Sequence, residues 1–167
     1  MPPKRRPPKR VSGQTESERA VDLAYRALGR RERTVAELKT YLEDKRVEPS
    51  AIEFAVEELS ESGFLDDAVY ARKFAEDKRT LARWGSERIA RDLERRGVDP
   101  EVVAAALASY GHEDELRSAL DLLAERLPDP PQSDRDRDRA WRLLVRRGYG
   151  GDLAYDAVRL HRRGAAA

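Results

Sequence analysis

The chain has 167 residues, of which 39% are charged, 40% hydrophobic and only 7% aromatic, a length that suits either one domain or several small repeated units with thin cores. It contains no cysteine, which excludes disulfides and thiolate metal sites, and no apolar run approaches the length of a bilayer span, so a soluble cytoplasmic protein is expected. The net charge of +1 conceals segregation: residues 1–10 carry five bases and no acid, residues 48–67 carry seven acids and no base, and residues 135–163 carry nine arginines against four aspartates.

Residues 1–14 combine prolines at 2, 3, 7 and 8 with Lys4, Arg5, Arg6, Lys9 and Arg10, and without apolar periodicity they read as a disordered basic arm. Thr15 followed by Glu18 has capping-box spacing and predicts a helix over 16–30 with Ala20, Leu23, Ala24, Ala27 and Leu28 inward. Thr34 and Glu37 repeat that spacing ahead of Val35, Leu38 and Leu42. Pro49 then suits the first turn of a helix carrying Ile52, Ala55, Val56 and Leu59, which Gly63 ends.

The second group starts with the helix-favouring carboxylates of Asp66 and Asp67, followed by Ala71, Phe74, Ala75 and Leu81 as the expected inward face. Ser86 is the expected cap of the next helix, with Ile89 and Leu93 inward and Gly97 as its stop; Asp99 and Pro100 open another, to about 109. In the third group Leu116, Ala119, Leu120, Leu123 and Leu127 make a helix ending before Pro128. A proline-rich linker over 128–133 precedes a helix with Ala140, Leu143 and Leu144, and a last helix begins near Asp152.

A repeat of 51 residues runs through these elements. Leu42, Leu93 and Leu144 fall in register, as do Ile52, Val103 and Ala154, and Val56, Leu107 and Val158. The expected fold is therefore all-α: an elongated array of three tandem three-helix repeats, about nine helices, over 15–64, 65–110 and 111–163. The product of such an array is a surface.

Groups for catalysis do not converge. His112 and His161 lie in different repeats without a metal-ligand partner at i+3 or i+4, Asp66 and Asp67 are explained by capping, and Gly148, Gly150 and Gly151 lack the strand and lysine of a phosphate loop. No enzyme activity, cofactor or metal site is expected. The basic residues carry more: Arg88, Arg91 and Arg95 are spaced i, i+3, i+7, as are Arg139, Arg142 and Arg146, while Lys78, Arg79 and Arg83 approach from the preceding helix. Such stripes suit phosphates or an acidic protein surface, or else are solvated faces balanced by Glu87, Asp92 and Glu94. Trp84 either stacks on a partner or plugs a seam between helices.

The run Gly63-Phe64-Leu65-Asp66-Asp67, then Tyr70-Ala71, Trp84-Gly85, Arg88-Ile89, Leu93 and Gly97, resembles the RecX family of bacterial RecA regulators, and Ala27-Leu28, Arg33, Glu37-Leu38 and Leu42 fit as well. The resemblance spans about 18–160, most specifically through the order and spacing of these motifs. It implies a non-enzymatic protein that binds RecA, lodges along its nucleoprotein filament and modulates it, usually by inhibition, in recombination, DNA repair and the SOS response. The ten basic and aromatic residues named above are then the candidate contacts, in a monomer. The alternative is a helical module that binds DNA directly through its basic stripes and arm, without RecA.

Overall fold

The computed structural model describes residues 14–164, so the predicted basic arm lies, apart from Gln14, outside the described residues. Among the described residues there are nine helices and no strand: α1 Glu16–Arg30, α2 Val35–Asp44, α3 Pro49–Glu61, α4 Asp67–Ala82, α5 Ser86–Arg95, α6 Pro100–Leu107, α7 His112–Arg126, α8 Asp134–Arg147 and α9 Gly151–Gly164. They form two compact units divided between Leu65 and Asp66, α1–α3 in the first and α4–α9 in the second.

The helix starts follow from side chains that satisfy otherwise orphaned amides. The Thr15 amide donates to Glu18 at 2.7 Å and the Glu18 amide to the Thr15 hydroxyl at 3.2 Å, which closes the predicted capping box. Thr34 accepts from the Glu37 amide, Asp66 from those of Ala68 and Val69, and Asp99 from that of Glu101. Ser133 and Asp136 form a second full box, and the Ser133 hydrogen bonds hold the Asp136 carboxyl below its usual range.

Within each three-helix group the first helix packs on the third, and the second closes the triangle. Small residues allow the close approach: Ala20, Ala24 and Ala27 on α1 and Ala71 and Ala75 on α4 are buried at i, i+4-type spacings. Three buried clusters result. One forms around Leu38, Leu42, Ile52 and Leu59, a second around Ile89, Leu93 and Val103, and a third around Leu122, Leu123, Leu144 and Val158.

The 51-residue period has a concrete structural content. Leu42, Leu93 and Leu144 are fully buried, and each accepts the amide of the residue five positions on: Val47 at 3.1 Å, Val98 at 3.1 Å and Tyr149 at 3.2 Å. The residue before each of these is left-handed: Arg46 at φ 57°, Gly97 at 81° and Gly148 at 90°. This is the same Schellman closure three times, so α2–α3, α5–α6 and α8–α9 are one joint in three copies.

The third group departs from the period at its first helix. α4 starts 51 residues after α1, but α6 stops at Leu107 where α3 runs to Glu61, and α7 begins only 45 residues after α4. The segment 127–133 restores the register before Gly151, which stands 51 residues after Pro100. Two expectations need correction. Leu81 is 83% exposed, because Ala71 and Ala75 set the inward face of α4 and the last turn of the helix carries Leu81 away from it. Ser86 does not cap α5: Gly85 holds that position, and the Ser86 amide is itself a donor, to Glu115 of α7.

Candidate partner-binding surface

The ten candidate residues sit on α4, α5, α8 and the α4–α5 turn, all within the second unit. Arg83 ends α4 in the left-handed conformation, at φ 52°, and turns the chain into Trp84. The indole is enclosed by Phe74 at 6.5 Å between ring centroids, by the Lys78 ammonium at 5.0 Å and by the Arg88 guanidinium at 3.9 Å. Trp84 thus plugs the α4–α5 seam, and Lys78 and Arg88 are bound to it by cation–π attraction. Arg79 also faces inward, 3.9 Å from the Tyr110 ring; its Nε and one terminal nitrogen are buried without a hydrogen-bond partner, and burial pushes its pKa down.

The α4–α5 turn docks on the α8–α9 turn main chain to main chain. The Gly85 amide donates to the Arg147 carbonyl at 2.8 Å and the Glu87 amide to that of Gly148 at 3.1 Å. Arg147 donates to the Ala82 carbonyl at 2.6 Å, and Arg88 to that of Arg146 at 3.3 Å. A β-carbon on residue 85 would lie 2.3 Å from the Gly148 oxygen, and one on residue 148 would lie 2.2 Å from the Arg88 β-carbon, so only glycine fits either place.

Tyr149 completes the joint. It occupies the repeat position of Val47 and Val98, is 1% exposed, and donates its phenolic proton to the Arg83 carbonyl at 3.2 Å. The Ser118 hydroxyl, 3.0 Å away, is then the donor to the Tyr149 oxygen, and burial raises the tyrosine's pKa. From α7, Glu115 accepts the Ser86 amide at 2.7 Å and Glu125 pairs with Arg83 at 2.8 Å. The cap of α5 is therefore supplied from another helix.

The ten residues consequently divide. Lys78, Arg79, Arg83, Trp84 and Arg88 are half-buried and engaged inside the unit, while Arg91 and Arg95 on α5 and Arg139, Arg142 and Arg146 on α8 are exposed. Arg91 donates to the Glu87 carbonyl at 3.2 Å, Arg95 pairs with Asp92, and Arg142 pairs with Asp138 at 2.9 Å. In the first unit, Glu57, Glu58 and Glu61 of the acidic stretch stand exposed on α3. The His161 Nε2 lies 2.8 Å from the Leu127 carbonyl and ties α9 to the end of α7. No group of three or more His, Cys, Asp or Glu among the described residues is placed to hold a metal, and no described helix is long and apolar enough to cross a membrane.

Sequence reasoning missed two aromatic residues, Trp141 at 36% and Tyr155 at 66% exposure. The signal was present in their spacing: each is an aromatic residue within a helix whose buried stripe, Ala140 and Leu144 in α8 and Ala154 and Ala157 in α9, runs on another face.

Three-helix repeats with cationic side chains on exposed helix faces place this chain among the all-α repeat proteins. Residues 20–59 match the first three-helix domain of RecX and residues 66–107 the second. The chain is 35% identical over 154 residues to the regulatory protein RecX of Deinococcus radiodurans, covering 92% of this chain and 74% of that one. It is also 35% identical over 140 residues to the regulatory protein RecX of Lactobacillus delbrueckii subsp. bulgaricus, covering 83% of this chain but only 52% of that one. The crystal structure of RecX from Lactobacillus salivarius shares the fold with a TM-score of 0.79 at 17% identity, over 87% of this chain and 96% of that one. The chain belongs to the RecX family.

Proposed function

We propose that this protein is a cytoplasmic, monomeric, non-enzymatic regulator that binds RecA and its nucleoprotein filament. It inhibits the filament's ATPase, strand-exchange and coprotease activities in recombination, DNA repair and the SOS response. The observation that carries this reading is membership of a family whose relatives are named regulatory proteins, over 92% of the chain in the Deinococcus comparison. Exposed Arg91, Arg95, Arg139, Arg142 and Arg146 support it, since arginine forks suit acidic or phosphate-bearing partners. The half-buried bases serve the fold in this reading and the exposed ones serve the partner.

The test is RecA ATP hydrolysis on single-stranded DNA with rising amounts of the protein. Hydrolysis should fall to a plateau; full hydrolysis at saturating, folded protein rejects the proposal. In the same assay R91E/R95E, on an exposed face, should raise the concentration for half-inhibition about tenfold while helicity is unchanged. Unchanged potency would assign that face to solvent.

A further inference from the structure

The α8 and α9 helices enclose a groove of about 890 Å³ that none of the ten candidate residues lines. One wall is an α8 turn with Arg137 and Trp141 at i, i+4; the other is an α9 stripe with Tyr155, Val158, Arg159 and Arg162 at i, i+3, i+4, i+7. Trp141 is a fixed plate: its indole N–H donates to the Gly151 carbonyl at 3.1 Å, and its Cζ2 lies 3.7 Å from where a β-carbon on residue 151 would stand. It nevertheless remains 36% exposed, and Tyr155 is 66% exposed.

The charge of the groove is one-sided. Asp138 is its single carboxylate, and that group is taken by Arg142 at 2.9 Å. Arg159 is held by Asp156 at 3.2 Å and Arg137 by Asp134, whereas Arg162 and Arg163 have no ion-pair partner among the described residues. A prepositioned indole and a second exposed ring, beside cations with no internal partner, make a stacking platform with phosphate-binding donors. Base–aromatic stacking tolerates any sequence and needs an unpaired base.

We propose that the α8–α9 groove binds single-stranded nucleic acid directly, with bases stacked on Trp141 and Tyr155 and the backbone phosphates on Arg162 and Arg163. An acidic peptide would satisfy the arginines but would leave the two ring faces without a partner, which favours the nucleic acid. This interaction is separate from any binding to RecA.

The experiment is a titration of the full chain with fluorescein-labelled oligo(dT), without RecA, read by anisotropy and by tryptophan emission. Oligo(dT) should quench the wild-type emission. W141F should lose that quenching while retaining binding, because a stacking ring is kept and Trp84, enclosed by Phe74, Lys78 and Arg88, does not report. Y155A, at an exposed position, should weaken binding about tenfold. R162E/R163E should weaken it and reduce the slope of log affinity against log salt by roughly 0.7 for each phosphate no longer neutralised. Any salt-dependent affinity contributed by the basic residues 1–10 would be common to all of these proteins and would leave the quenching unchanged.

Wild-type affinity in both Y155A and R162E/R163E overturns the proposal. So does quenching by oligo-glutamate but not by oligo(dT), which would assign the groove to an acidic protein, and so does equally tight binding of duplex DNA without quenching. No RecA is present, so failure here leaves the filament proposal standing, and the ATPase assay decides that one.

Discussion

Arg46 carries a conformational cost that its counterparts avoid. It stands at φ 57° where the other two repeats use Gly97 and Gly148, and a β-carbon in the left-handed region costs about 1–2 kcal/mol. R46G should therefore stabilise the protein by about 1 kcal/mol in urea unfolding, less what glycine's extra freedom in the unfolded chain takes back. Gly85 is constrained in the opposite way, by a carbonyl where a β-carbon would go. G85A should cost about 2–3 kcal/mol in the same measurement, since the clash is with main chain that cannot swing aside. Tyr149 links stability to pH. Its pKa is raised by burial, so the folded state holds the phenolic proton more tightly than the unfolded chain does. Its contribution is complete below the ordinary tyrosine value near 10 and is lost as the pH rises through the higher folded value. Y149F should cost about 1–2 kcal/mol at neutral pH through the missing hydrogen bond to Arg83, and the gap to wild type should narrow above about pH 10.

At the scale of the element, most helix starts were legible because a capping side chain lies within three residues of the amide it serves, as in Thr15 with Glu18 and Thr34 with Glu37. The start of α5 was not. Its Ser86 looked like a cap, but the acceptor that matters is Glu115, 29 residues away on α7, and nothing local announces it. E115A should therefore destabilise α5 by about 1 kcal/mol and raise amide exchange in its first turn, while S86A should change little. The arginine stripe of α5 was legible as spacing and not as exposure. Arg88 folds back over Trp84 toward the α8–α9 turn, and only Arg91 and Arg95 reach solvent.

For the molecule as a whole, the second unit carries the cooperative feature. Its two buried clusters are joined by main-chain hydrogen bonds between the α4–α5 and α8–α9 turns, so disturbing one cluster pulls on the cap of the other. L144A should cost about 3 kcal/mol by leaving a cavity in the third cluster. Hydrogen exchange should then rise in α5 as well as in α8; protection retained in α5 would show that the two groups open separately.

The sequence by itself determined the all-helical fold, most of the caps and the 51-residue joint. These depend on interactions between residues at most five apart and on apolar periodicity, both of which can be read along a single chain. It also carried the RecX motifs, which are matters of order and spacing. Only the tertiary structure decided which basic residues reach solvent. Exposure of a guanidinium depends on what the other helices bring to it: a tryptophan for Arg88, a tyrosine for Arg79, a carboxylate from α7 for Arg83. It likewise decided why Gly85 and Gly148 are glycines, because the two backbones that meet there are more than 60 residues apart in the chain.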